Sequence, residues 1–301
     1  MRRRKLLQAG LVTGIGSGVK ATGTGTSLLM RPMPRTGERL PAVGLGTWLT
    51  FDVPTADAPA LARCQAVVDR FVADGGRVVD SSPMYGHAEA VLGEVLPRAA
   101  SACFAMSKVW TPIIPYGPMQ MRRSMALWRR TQMDVMLVHN LLAWQGHLNT
   151  LRQWQHEGLV RHVGVSTSHG RAHDEMREIL GHDRIDVMQI TYNPTDRSAE
   201  PLLDLASARG VAVIINRPFD GGDLLDRLAH VPLPPVAADL GCTSWATLVL
   251  KWELAHPAVT VAIPATTNTE HVAQNLAALR GPLPDLRERE TIWRAMAPAV
   301  G

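Results

Sequence analysis

The amino-acid sequence predicts an α/β fold, a single (β/α)8 TIM barrel. Two observations carry this expectation. Short runs rich in Val, Ile and Met alternate about eight times with amphipathic stretches. The body is also close to the ~250 residues such a barrel usually occupies. Repeated strand–helix alternation builds a parallel sheet, because each helical crossover returns the chain to begin another parallel strand. The runs are apolar throughout rather than at every second position, as in strands buried on both faces. An open doubly wound sheet is the competing arrangement.

The elements follow in order along the chain. A strand at 43–48 leads to a helix at 60–74, which Gly75 closes as a C-cap residue should. Strand 77–81 precedes helix 88–96, and strand 103–109 precedes helix 119–131. Strand 134–139 leads to helix 148–156, closed by Gly158, and strand 160–167 to helix 174–180, closed by Gly181. Strand 186–192 is followed by helix 201–208 and its closing Gly210. The last two strands, 211–216 and 259–264, flank a helix at 244–256, and helices 270–279 and 286–296 complete the pattern. No interior linker, low-complexity tract or repeat divides this body.

Charge separates the body from what precedes it. The chain of 301 residues carries 31 Lys+Arg and 27 Asp+Glu, a net of +4. Seven basic residues and no acid lie before Glu38, so the remainder has 24 basic and 27 acidic groups, a net of −3. A body without basic excess has nothing to neutralise phosphates with, which argues against a nucleic-acid partner. Cys64, Cys103 and Cys242 are widely spaced and form no CxxC, so neither a zinc framework nor a disulfide scaffold is indicated. His169-Gly-Arg-Ala-His173 has metal-like spacing, but its Gly marks a loop and no third ligand is evident, so no metal is expected. The apolar runs are far shorter than the ~20 residues that span a membrane, so the mature chain is not expected to insert stably. Composition is silent on oligomeric state.

Residues 1–21 have the layout of an export signal: a charged start at Met1 to Lys5, a mildly apolar Gly-rich stretch, then small residues around Ala21. Arg3-Arg4-Lys5-Leu6-Leu7 resembles a twin-arginine leader, which implies an exported, periplasmic protein. A basic tail on a cytoplasmic protein is the alternative. Residues 22–36 then read as a flexible lead-in, and 37–301 as the barrel domain.

In such barrels the chemistry sits where strands end. Asp80, Tyr85, Lys108, His139, Ser166, Gln189 and Asn193 fall at or just beyond predicted strand ends. Only four lysines and three tyrosines occur, and Lys108 and Tyr85 are among them.

The motifs around these residues are recognisable together. They are Leu40-Pro-Ala-Val-Gly-Leu-Gly-Thr-Trp48, Asp80-Ser-Ser-Pro-Met-Tyr85-Gly86-His-Ala-Glu89, Ser107-Lys108, Val138-His139-Asn140, Gly164-Val165-Ser166 and Met188-Gln189-Ile190-x-Tyr192-Asn193. Ile263-Pro264 followed by Glu270-His271-Val272-x-Gln274-Asn275 closes the series. In this order and at these strand ends they resemble the aldo-keto reductase family, from Leu40 to about Leu279.

The resemblance implies an NAD(P)H-dependent oxidoreductase that reduces an aldehyde or ketone to an alcohol, with Asp80, Tyr85, Lys108 and His139 as the catalytic set. Its chemistry is coherent. A carbonyl needs a hydride on its carbon and a proton at its oxygen. Tyr85 can donate the proton, although an ordinary phenol, with a pKa of ~10, is a reluctant acid. A neighbouring ammonium favours phenolate, so Lys108 is expected to lower the Tyr85 pKa toward neutrality. Asp80 can hold Lys108 charged, and His139 can hydrogen-bond the developing alkoxide. The alternative is a nicotinamide-binding barrel that acts as a redox sensor or regulatory subunit with little turnover.

By the same resemblance, Gly46, Thr47, Trp48 and Asp80 stand beside the cofactor, and Ser166 and Gln189 hold its carboxamide end, with Thr167 where the family usually has the Asn that joins them. Arg217-Pro218-Phe219 replaces the usual aromatic platform. Arg217 is either a pyrophosphate ligand, through its bidentate fork, or a surface residue. Thr266, His271, Gln274 and Asn275 mark the adenosine end. Ala265 and His271 stand where many relatives place the Lys and Arg that grip a 2′-phosphate. NADPH is favoured over NADH only modestly for that reason. Trp48, Trp110 and Trp144 follow predicted strands and either line an apolar substrate pocket or pack. The substrate itself is not legible beyond a small-molecule carbonyl.

Overall fold

The computed structural model describes residues 27–96 and 103–300. The leader expected at 1–21 lies outside them. The described chain opens with an antiparallel hairpin, β1 (Met30–Pro32) against β2 (Arg39–Pro41), in which Met30 faces Pro41. Eight parallel strands follow in consecutive order: β3 (Leu45–Gly46), β4 (Val78–Asp80), β5 (Phe104–Val109), β6 (Met133–His139), β7 (Val160–Ser166), β8 (Val187–Thr191), β9 (Ala212–Asn216) and β10 (Val259–Ala262). The helices between them are α1 (Ala58–Ala73), α2 (Ala88–Val95), α3 (Gly117–Leu127), α4 (Trp144–His156), α5 (His173–His182) and α6 (Glu200–Ala208). Two short helices, α7 (Asp223–Leu228) and α8 (Val236–Asp239), precede α9 (Trp245–Leu254), and α10 (Thr269–Ala277) and α11 (Leu286–Val300) follow β10.

The sheet closes, which decides against an open doubly wound arrangement. Val43 bridges Ala262 and Gly46 bridges Ala265, both parallel. Gly44 N donates to Ala262 O at 2.8 Å and Gly46 N to Pro264 O at 2.9 Å. Closure needs glycine here: a Cβ on Gly46 would stand 2.8 Å from Ile263 O, and one on Gly44 2.9 Å from Val78 O. No helix among the described residues is long and apolar enough to cross a membrane.

Strand alternation makes two cores. Val79, Ala105, Val109, Met136, Val138, Val165, Met188 and Val213 point outward and pack with the helices. Val78, Phe104, Met106, Val135, Leu137, Val187, Ala212 and Ile214 fill the barrel interior. The same inward series, advanced by two residues, brings Asp80, Lys108, His139 and Gln189 to the top of the barrel. The apolar filling below and the polar residues above are thus one pattern read in two places.

The flexible lead-in expected at 22–36 does not describe residues 27–36, which include β1 and the hairpin turn. Met33 and Leu40 from this hairpin join the interior cluster and floor the barrel. Arg35 fastens it through Asp186, 3.0 Å away, and through the carbonyl of Ile185. Three-residue strands are too short for periodicity to reveal. The same holds for α7 and α8.

Candidate active site

The site is built on the C-terminal ends of β4, β5 and β6. Lys108 is fully buried near the end of β5, and all three ammonium protons have acceptors. Its Nζ donates to Asp80 Oδ1 and Oδ2 at 2.9 and 2.8 Å and to Ser81 O at 2.7 Å. Burial alone would discharge it, but the carboxylate of Asp80 outweighs that penalty with the help of Tyr85, and the Lys108 pKa ends above its ordinary value. Gln189 Nε2 donates to Asp80 Oδ1 at 2.9 Å, and Thr47 Oγ1 lies 3.0 Å from Asp80 O. The aspartate is therefore fixed from three sides.

Tyr85 sits in the loop between β4 and α2, where its amide donates to Ser82 O at 3.0 Å. Its ring centroid is 5.2 Å from Lys108 Nζ and 6.0 Å from the His139 ring, which meets it edge-on. Burial raises the Tyr85 pKa; Lys108 opposes this and does not overcome it. This corrects the expected lowering toward neutrality. Lys108 acts in the foreseen direction, but Asp80 returns part of its effect and desolvation is larger. The consequence is chemically useful, since Tyr85 remains a protonated phenol. His139 closes β6, with Nδ1 2.9 Å from Ser166 Oγ. Burial, then Lys108, then Arg171 push its pKa down to about 2, so it is a neutral imidazole.

Beside these groups runs a cleft of about 550 Å³. Tyr85 and His139 line it together with Gly46, Thr47, Trp48 and Asp80. Arg217, Pro218 and Phe219 form its wall beyond β9, and Thr266, His271, Gln274 and Asn275 its far end. Ser166, Thr167 and Gln189 stand behind the lining, and Ser166 and Gln189 are engaged with His139 and Asp80. Arg217 is no ordinary surface residue: it lies 5.7 Å from the Trp48 ring centroid, bonds Asp220 at 2.8 Å and buries an unpartnered Nε. Trp48 lines the cleft, whereas Trp144 is buried, donates to Glu175 at 2.7 Å and packs. Trp110 is partly exposed and outside the lining. Glu89 joins three elements, accepting from Ser107, Ser124 and Trp128, which is an architectural task.

Sequence reasoning missed Asn140, Arg171 and Asn216, all in the lining. Asn216 was within reach, since it follows Ala212 and Ile214 in the inward series. Asn140 and Arg171 belong to loops, where no period guides the eye. Backbone strain would have marked the region. Nine described non-glycine residues have positive φ, and all but Arg129 lie in loops after barrel strands. Such conformations persist where surrounding structure enforces them, and they cluster at functional sites. Among the described residues no group of three or more His, Cys, Asp or Glu could hold a metal ion.

A closed barrel with a phenol and a neutral imidazole above a buried ammonium–carboxylate pair, at the head of a long cleft, has the parts for carbonyl chemistry. The chain belongs to the aldo/keto reductase family, which residues 42–287 match. It is 30% identical to pyridoxine 4-dehydrogenase of Escherichia coli over 134 residues, a match covering 44% of each chain. It is 23% identical to the NADH-specific methylglyoxal reductase of Escherichia coli, across 89% of this chain and 98% of that one. An aldo/keto reductase of Klebsiella pneumoniae, solved with NADP and acetate, superposes with a TM-score of 0.74 at 24% identity, across 89% and 95% of the chains.

Proposed function

We propose that the protein reduces an aldehyde or ketone to an alcohol with a nicotinamide dinucleotide. The observation that carries this reading is the assembly of Tyr85, Lys108, Asp80 and His139 at the head of the cleft. The residues present fit a dinucleotide: the cleft runs from Tyr85 to Asn275, and Arg217 buries an unpartnered Nε in its wall. Gly46, Thr47 and Trp48 would flank the nicotinamide, Arg217 to Phe219 the pyrophosphate, and Thr266 to Asn275 the adenosine. Ser166, Thr167 and Gln189 would support the carboxamide end from behind. Reduced nicotinamide, when bound, supplies the hydride.

The chain supplies the rest. Asp80 holds Lys108 charged and in place. Lys108 stabilises negative charge as it grows on the Tyr85 oxygen. Tyr85 delivers its proton to the carbonyl oxygen, and neutral His139 offers an N–H to the same atom. A sensor would have no need of this complete proton-donor set, so turnover is the better reading. Oxidation of NADPH or NADH in the presence of a carbonyl panel tests it; cofactor binding without any turnover would refute it.

NADPH is the preferred cofactor, by a modest margin. The only guanidinium or ammonium groups in the described lining belong to Arg171 and Arg217, and neither stands at the Thr266 end. A 2′-phosphate would meet His271 and neutral polar groups there. Fluorescence titration is expected to give NADPH less than a ~100-fold advantage, and a larger one would overturn the assignment.

The residues before the barrel support export through a twin-arginine-like leader at 1–21. Replacing Arg3 and Arg4 by Lys is expected to retain the protein in the cytoplasm, and undiminished export would sink the proposal.

A further inference from the structure

The cleft holds two guanidinium groups that differ in one respect. Arg217 is answered by Asp220 at 2.8 Å, as Lys108 below is answered by Asp80. Arg171 has no carboxylate partner among the described residues; its Nη2 donates to Ser168 Oγ at 3.2 Å. Arg171 is an exposed residue of the cleft lining, so its guanidinium is open to an anion that arrives with the ligand.

The loop that carries Arg171 has a constrained backbone. Residues His169, Gly170 and Ala172 all have left-handed backbones, with φ of 62, 58 and 57°. Gly170 suits its left-handed backbone, and a Cβ there would stand 2.6 Å from Asp196 Oδ2 and displace that side chain. The His169 amide donates to Thr191 Oγ1 at 3.0 Å, tying the loop to the end of β8. Asn140, which directly follows His139 and lines the same cleft, buries an Oδ1 that meets no donor. Trp48, Leu49 and Met84 add apolar surface to the lining. Arg171 lines the same cleft as Tyr85, His139 and Asn140. The pyrophosphate is assigned to Arg217, whose buried Nε has no partner.

We propose that the substrate is an oxo acid, an aldehyde or ketone whose skeleton also bears a carboxylate, and that Arg171 selects it. The proposal rests on the reductase reading above. A guanidinium fork matches a carboxylate with two parallel hydrogen bonds, and these are the stronger, charge-assisted kind. Specificity is a difference between affinities, so an uncharged analogue of the same shape forgoes that pair.

The probes are 4-carboxybenzaldehyde and its methyl ester, which differ in charge and share the aldehyde. Wild-type protein with NADPH is expected to favour the acid over the ester at least 10-fold in kcat/KM. Arg171→Gln is expected to lower that ratio 10- to 100-fold, chiefly through KM of the acid. Arg171→Lys recovers part of it, because it restores charge without the fork. An ester preferred by wild type, or a ratio unmoved by Arg171→Gln, overturns the assignment. So does an Arg171→Gln variant whose affinity for NADPH falls as far as its preference for the acid. If neither aldehyde is reduced, the reductase reading is judged separately, on the wider carbonyl panel. The carboxylate site is then judged by calorimetry with 4-hydroxymethylbenzoate on NADPH-loaded protein, where binding lost in Arg171→Gln supports it and equal binding refutes it.

Discussion

Tyr85→Phe is expected to cut carbonyl reduction by about 10²–10⁴-fold, the usual contribution of a positioned proton donor. The loss falls on kcat, because the hydroxyl acts on the carbonyl oxygen during the chemical step. The ring stays, and with it the edge contact to His139 and the approach of Lys108, both of which involve ring atoms. Folding is therefore preserved, and melting temperature and NADPH affinity report that directly. Single-turnover oxidation of bound NADPH is the decisive measurement. A variant retaining more than a tenth of wild-type kcat would remove Tyr85 from the role of donor.

The pH dependence of the wild-type protein follows from the same groups. Reduction consumes the protonated phenol, and burial holds the Tyr85 pKa above its ordinary value. Deprotonation of Tyr85 therefore limits reduction only on the far alkaline side, beyond about pH 10. His139, with its pKa pushed down to about 2, carries no charge across the working range and imposes no acid limb near pH 6. The reverse reaction needs the phenolate as base, so alcohol oxidation should rise with pH where reduction is flat.

The barrel was legible because its pattern is repetitive. Eight apolar runs become eight strands, each displaced by at most two residues at either end. The polar residues that end them were legible for the same reason: Lys108 follows Met106, and His139 follows Leu137, on one inward face. What escaped lacks a period. The floor hairpin is made by three-residue strands, and its burial depends on Met33 and Leu40 meeting a barrel mouth that only the closed fold creates. Arg171 occupies a loop that Gly170 marks, but nothing in the sequence marks its conformation, since Ala172 is a poor candidate for φ of 57°. The sign of the Tyr85 shift escaped for a different reason. Motif reading supplies the neighbouring ammonium but not the depth of burial, and desolvation decides the balance.

Lys108→Met separates what the buried ammonium does for folding from what it does for chemistry. Asp80 is 2% exposed, and removing its partner leaves a buried carboxylate held by Gln189 and no cation. Loss of one member of such a pair typically costs about 3–5 kcal/mol. The melting temperature should fall by roughly 2–4 °C for each kcal/mol in a chain of this size. Adding Asp80→Asn removes the stranded charge, and the double variant should regain much of that loss. Activity should not return with it. Without Lys108, burial acts unopposed on Tyr85, its pKa climbs further, and phenolate becomes costlier to form. Reduction slows because proton delivery leaves that phenolate behind, and alcohol oxidation, which must begin from it, suffers at least as much at neutral pH. A double variant that recovered both stability and turnover would show Lys108 to be a structural counter-ion only. One that recovered stability alone would place the ammonium in the chemistry, because its electrostatic effect on Tyr85 would then be separated from its support of the fold.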